Sequence, residues 1–304
     1  MKKKSTNKKI RFNKRDIPFL VVFLIGISIL AYPFFSDWYN ARQYKKVNVS
    51  FDRGAEKLDK KEIDERIRLA EYYNDALVNP NITDPFTRKK HKKGIEEYAR
   101  MLQIKESIGY VTIPKIGQTL PIYAGTNDDI LQIGAGHLEF TSLPIGGKGN
   151  HTVITAHSGL PKVKLFTDLN KLKKGDVFFI KNIKEEMAYE VDDIAVVVPT
   201  DFSKLNRFIG RDYCTLLTCT PYMINTHRLL VRGERTDLKK AKKKGLKNKL
   251  LYYLKRILIL LSIILVVYLV KKRINKYYDK IRKANSAKKE IADGLNKIDE
   301  IKKK

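Results

Sequence analysis

Apolar and polar positions divide the chain into regions of different texture. Nineteen residues, Ile17 to Phe35, pass without a charge and are preceded by eight Lys or Arg, a pattern that predicts a membrane span or an uncleaved signal-anchor. No small-residue cleavage site is clear. A second apolar run, Ile257 to Val270, has fourteen residues; with Leu250 to Leu254, and with Lys255 and Arg256 snorkelling, it reaches twenty-one and predicts a second span. Between the two, Ile63, Ile67, Ala70 and Leu77 fall on one helical face, predicting an amphipathic helix from Arg53 to Asn79 that Pro80 ends. Residues 81–90 read as a loop around Asp84-Pro85-Phe86, and Ile95 to Leu102 as a second short helix.

Beyond that point the chain breaks into short β-type runs separated by Gly, Pro and Asn. They are Ile108–Ile113, Leu120–Tyr123, Thr152–Thr155, Val177–Ile180, Tyr189–Val198, Tyr213–Thr218 and Leu229–Arg232. Seven or eight such runs with few long helices predict a mainly β fold closed into a barrel, not a doubly wound sheet. From Lys271 the tail is polar, Lys-rich and weakly helical, and reads as a cytoplasmic extension.

Charge changes this picture in one respect. A net charge of +28 ordinarily raises nucleic acid as a partner. Residues 1–16 and 239–304, however, hold 30 of the 61 Lys and Arg but 6 of the 33 Asp and Glu, so the flanks carry +24 and the middle +4. Basicity beside apolar runs is membrane-flanking charge, and nucleic acid is set aside. The basic N-terminus puts both termini in the cytoplasm and the domain between the spans outside. Seven lysines between Lys239 and Lys249 then lie on the outer side, against the usual bias, which long translocated domains tolerate.

Cysteine and histidine placement supplies the candidate chemistry. Cys219 ends a β-prone run, Thr215-Leu216-Leu217-Thr218-Cys219, and Pro221 follows shortly after, so its thiol stands at a strand end where a side chain can face a cleft. Cys214, five residues earlier, points to the opposite face of a regular strand and reads as an inert core residue. A thiol near its reference pKa of about 8.5 is only slightly ionised at neutral pH and needs a cation or base beside it. His157 also ends a strand, Val153-Ile154-Thr155-Ala156-His157, and is the candidate base. Arg228 opens the apolar run after the turn that follows Cys219, so adjacent strands bring it to the thiol's end of the sheet. Its permanently charged fork can stabilise a thiolate or an oxyanion. His91, His137, His151 and His227 have bland readings. With no CxxC, HExxH or His-rich tract, a zinc site has little support.

Together, Thr215-Leu216-Leu217-Thr218-Cys219, the upstream Thr155-Ala156-His157 and Arg228 nine residues downstream resemble the sortase family in motif and in the order His, Cys, Arg. Pro114, Leu165-Phe166-Thr167-Asp168-Leu169 and Lys174-Gly175-Asp176 are also similar to that family, over roughly residues 80–235. The resemblance implies an eight-stranded sortase-type β-barrel, and a cysteine transpeptidase with Cys219 as nucleophile, His157 as general acid and base, and Arg228 holding substrate and oxyanion. It implies no cofactor and no metal. Asp84-Pro85-Phe86 ahead of the barrel, together with a second span after it, resembles the class C, pilus-building branch. There Asp84 and Phe86 would form an N-terminal lid; read without the family, Asp-Pro is merely a turn. Ser158 stands where a basic residue is more common, which bears on the groove's edge.

The implied layout is a basic N-terminus (1–16), a span (17–35), a helical region with the lid at 81–90 (36–106), the barrel (107–236), a basic linker (237–249), a second span (250–270) and a cytoplasmic Lys-rich tail (271–304). The implied partners are pilin or surface proteins with LPxTG-like sorting signals, an amine from a pilin lysine or a cell-wall precursor, and the membrane. Wall anchoring of surface proteins, a membrane-tethered thiol hydrolase and a non-enzymatic wall- or lipid-binding module remain as other readings.

Overall fold

The computed structural model describes residues 17–77, Asp84, Phe86 and 95–302, in two compact units, 1–249 and 250–304. In the first unit, α1 (Ile17–Ala55) carries the first apolar run straight into a polar stretch. Tyr44, Asn48, Phe51 and Ala55 are buried at helical spacing on one face of α1, and Phe51 meets Tyr110 edge-on. α2 (Lys60–Ala76) is separate. The single helix expected over 53–79 is broken because Asp59 caps a new start, its carboxylate accepting from the Glu62 N–H at 2.7 Å. Ile67 and Ala70 are buried as their spacing requires, and Asn74 joins them by exchanging hydrogen bonds with the Leu143 backbone. Ile95–Leu102 is helical, as expected, but of the tighter 3-10 kind.

Eight strands close the barrel: β1 (Ser107–Ile113), β2 (Gln118–Ala124), β3 (Ala135–His137), β4 (His151–Thr155), β5 (Val177–Lys181), β6 (Glu186–Val197), β7 (Tyr213–Thr220) and β8 (His227–Thr236), in the order β1-β2-β3-β4-β7-β8-β6-β5. The pairs β2–β3 and β4–β7 are parallel and the others antiparallel. A six-residue helix, α3 (Asp128–Ile133), leads into β3, with Asn127 as its N-cap. The main core holds Leu120, Ile122, Ile154, Phe178, Leu216 and Val231. A second apolar cluster, Leu138, Val153, Leu205, Leu217 and Leu230, lies on the other face of β4, β7 and β8. β7 is buried on both faces, which explains its unbroken apolar reading.

α4 (Leu238–Lys302) begins inside the first unit, where residues expected as a linker form its opening turns. They are helical because Leu238 and Ala241 pack against Val177, Phe179 and Ala188, and Gly245 lies so close to Phe179 and Pro114 that a Cβ would meet both rings. The second unit is the rest of this helix. Among the described residues α4 alone is long and apolar enough to cross a membrane. The first run, Ile17–Phe35, is helical in α1, but its side chains at 17–20, 23 and 24 lie outside the described residues; one such helix, not the expected two, is therefore observed.

Candidate active site

Strand register alone brings the three candidate residues to one place. β7 and β8 pair Leu217 with Leu230 and Cys219 with Arg228. β4 runs parallel to β7 with Thr155 opposite Leu217, so the chain two residues on sets His157 beside Cys219. Side chains alternate along a strand. Val153 and His157, Leu217 and Cys219, and Leu230 and Arg228 therefore share the face of the second apolar cluster, with the three polar members at its edge. Cys214 has the opposite parity, is fully buried in the main core, and its thiol is pushed far up by burial.

Hydrogen bonds fix the junction. Thr218 Oγ1 donates to the Ala156 carbonyl at 2.7 Å, and the Ala156 N–H donates to the Leu217 carbonyl at 3.2 Å. Ser158 Oγ donates to the Cys219 carbonyl at 2.7 Å, tying the residue after His157 to the residue bearing the thiol. Phe166 N–H donates to the His157 carbonyl at 3.1 Å, and Gly159 N–H to Thr167 Oγ1 at 3.1 Å. Leu165, Phe166 and Leu169 are fully buried beneath that loop. Its outer edge meets α1: the Lys162 carbonyl accepts from Ser36 Oγ at 2.6 Å and from Asn40 Nδ2 at 2.7 Å.

Asp84 and Phe86 lie over this junction. Arg228 Nε and Nη2 donate to the two Asp84 carboxylate oxygens at 2.7 and 2.6 Å, a bidentate pair with both side chains buried. Phe86 packs on the second apolar cluster, 5.2 Å from the His157 ring and 5.1 Å from the Arg228 guanidinium between centres. The rest of the expected lid lies outside the described residues.

The electrostatics are those of a covered site. Burial pushes the Cys219 thiol up to about 11, the Arg228 charge pulling it down and the Asp84 charge pushing it further up. Burial lowers the His157 pKa, with Asp128 at the start of α3 acting in the opposite sense. Desolvation opposes the charge on Arg228, but the Asp84 hydrogen bonds and the charges of Cys219 and Asp84 together leave its pKa above the ordinary value. Thiol and imidazole are thus both held neutral under the cover. Without Asp84 and Phe86 against them the thiol would be hydrated and the guanidinium unpaired, an arrangement able to hold a thiolate and an oxyanion.

His137 and His151 are buried elsewhere, in hydrogen bonds to the Ser142 and Asn206 carbonyls, and His227 bonds Thr226; His91 lies outside the described residues. Among the described residues no cluster of His, Cys, Asp or Glu could hold a metal ion. Sequence reasoning missed the parts played by Ser158, Asp128 and the Ser36–Asn40 edge. Each acts across more than twenty residues of chain, and no local pattern marks it.

A family model described as "Sortase domain" matches residues 111–236. Among solved structures, the chain is 58% identical to a pilus-related sortase C of Group B Streptococcus, covering 63% of this chain and 98% of that one with a TM-score of 0.60. It is 56% identical to sortase C-1 from Streptococcus pneumoniae, covering 63% and 98%, with a TM-score of 0.61. Among curated proteins it is 26% identical over 224 residues to a Sortase A of Bacillus anthracis, or 73% of this chain and 95% of that protein.

Proposed function

The chain belongs to the sortase family, within its class C branch, and from that premise we propose that it cleaves LPxTG-like sorting signals and joins the freed acyl group to a pilin lysine. The observation that carries this reading is the Cys219–Arg228 pair at the end of β7 and β8, with His157 beside it and Asp84 and Phe86 above. In the proposed cycle the uncovered Cys219 thiol passes its proton to His157, the resulting thiolate attacks the carbonyl of the signal's Thr, and Arg228 holds the tetrahedral oxyanion. His157 gives a proton to the departing glycine amine as the thioacyl enzyme forms. Neutral His157 then takes the proton of the incoming lysine ammonium, whose amine attacks the thioester and releases Cys219. No cofactor is needed for this sequence of steps.

The pilus-related neighbours support lysine as the acceptor. Phe86 supports the water exclusion that a transferase needs while a thioester waits for an amine. In this reading Asp84 and Phe86 are a lid that must leave Arg228 and His157 before a signal can enter. Sortases are membrane-associated, and α4 supplies one candidate span; we assign the second to Ile17–Phe35, so that the barrel between them stands on the outer face and both termini are cytoplasmic. The test is to mix the full chain, a sorting-signal protein and a pilin domain bearing an exposed lysine. Isopeptide-linked ladders are expected from the parent chain and from none of His157→Ala, Arg228→Ala or Cys219→Ala. Free acid alone at every acceptor concentration would move the chain to the hydrolases.

A further inference from the structure

The opening turns of α4 hold a charged surface that the proposed reaction does not use. Lys239, Lys240, Lys242, Lys243, Lys244, Lys247 and Lys249 are all exposed, and no acidic residue lies between Leu238 and Lys249. One face of this segment is fixed to the barrel by Leu238, Ala241 and Gly245, with Asn248 reaching Asp176 at 3.3 Å. At 3.6 residues per turn, the opposite face is Lys239, Lys243, Leu246 and Lys247. Lys242 and Lys244, at the flanks, pair with Glu186 and Glu190 of β6 at 2.6 and 3.2 Å. Among the described residues the other five have no carboxylate partner.

Two features distinguish this face from an ordinary solvated one. Lys239, Lys243 and Lys247 follow each other at i,i+4, as do Lys240 and Lys244, an arrangement that repels itself and weakens an isolated helix. Leu246, amid the lysines, leaves 70% of its surface exposed. Like charges ranged around an exposed leucine suit an anionic surface with an apolar layer beneath it. Such a surface is close at hand, because Lys249 immediately precedes Leu250, where the apolar run of α4 begins. We propose that this lysine face binds the anionic headgroups of the membrane that α4 enters, bracing the barrel at the bilayer. The proposal rests on α4 being membrane-embedded and is independent of the chemistry at Cys219.

The full chain is reconstituted in vesicles of phosphatidylcholine, alone or mixed with phosphatidylglycerol, and each lysine's rate of acylation by a water-soluble amine reagent is read by mass spectrometry. Lys171 and Lys174 on the barrel, 62% and 66% exposed, serve as internal references. Relative to them, Lys239, Lys243 and Lys247 should react about threefold or more slowly in the anionic vesicles, and the difference should vanish near 1 M salt, where the Debye length is about 3 Å. K243E/K247E should remove the protection of Lys239. Equal relative rates in both compositions, with the chain floating with both, would overturn the lysine proposal alone. A chain that floats with neither vesicle would overturn the membrane reading and this proposal with it.

Discussion

Burial, with Asp84 and Phe86 against Arg228 and His157, keeps the candidate nucleophile's pKa high. With the thiol at about 11, only about one in a thousand is ionised at pH 8. Removing the Asp84 carboxylate removes one upward push on the thiol and frees Arg228, whose pull is downward. Asp84→Ala should therefore shift the pH profile of thiol alkylation to lower pH and raise the rate at neutral pH about tenfold or more, as should uncovering by Phe86→Ala. Iodoacetamide kinetics across the pH range check this; unchanged rates in both variants would reject the cover. Cys214→Ala should leave activity in place. Much of this was legible in the sequence: a Cys and a His each ending an apolar run, and an Arg opening the next, are readable as strand ends. Ser158 was read only as groove edge. That its hydroxyl reaches the Cys219 carbonyl depends on β4 lying parallel beside β7, a pairing across sixty residues that no local spacing encodes.

Among the elements, the strands were legible wherever β-branched and aromatic residues alternate or cluster. β3 was not: Ala135-Gly136-His137 has no such residues, and it is a strand because α3 delivers it beside β2, with Gly136 so near the Gly125 carbonyl that a Cβ would collide. The break between α1 and α2 was missed because a capping Asp inside a charged stretch resembles any other acidic residue. α1 also does more than lead away from an apolar run, since Ser36 and Asn40 hold the loop that follows His157. S36A/N40A should leave the barrel folded and lower kcat about tenfold with little change in KM, a 1 Å displacement of a reacting group being that costly or more. Steady-state kinetics with a sorting peptide, with circular dichroism as the folding control, give the answer; unaltered kcat would make this contact structural only. On the buried face of α1, Tyr44 Oη and Asn48 Oδ1 have no hydrogen-bond partner among the described residues. Tyr44→Phe should accordingly be neutral, or raise stability by up to about 1 kcal/mol in chemical denaturation, rather than destabilise.

At the scale of the whole molecule, two buried histidines tie the barrel's stability to pH. Burial lowers His137 and His151 to about 4, against 6.5 for the free side chain. The unfolded chain therefore binds protons between pH 6.5 and 4 that the fold does not. The stability these groups contribute is fully present above 6.5 and falls as pH drops towards 4, by roughly 3 kcal/mol each. Urea midpoints over that window should decline steeply in the parent chain and less so in His151→Gln. The chemistry proposed for the same barrel is that Cys219 takes the acyl group of a sorting signal. Its most direct measurement is intact-mass and peptide mapping of the full chain, with Asp84→Ala to open the cover, after brief exposure to an LPxTG peptide without an amine acceptor. The expected result is a hydroxylamine-sensitive adduct, with the mass of the peptide up to its Thr, on Cys219 and absent from Cys219→Ala. Peptide cleavage that persists in Cys219→Ala, or an adduct on Cys214, would contradict it.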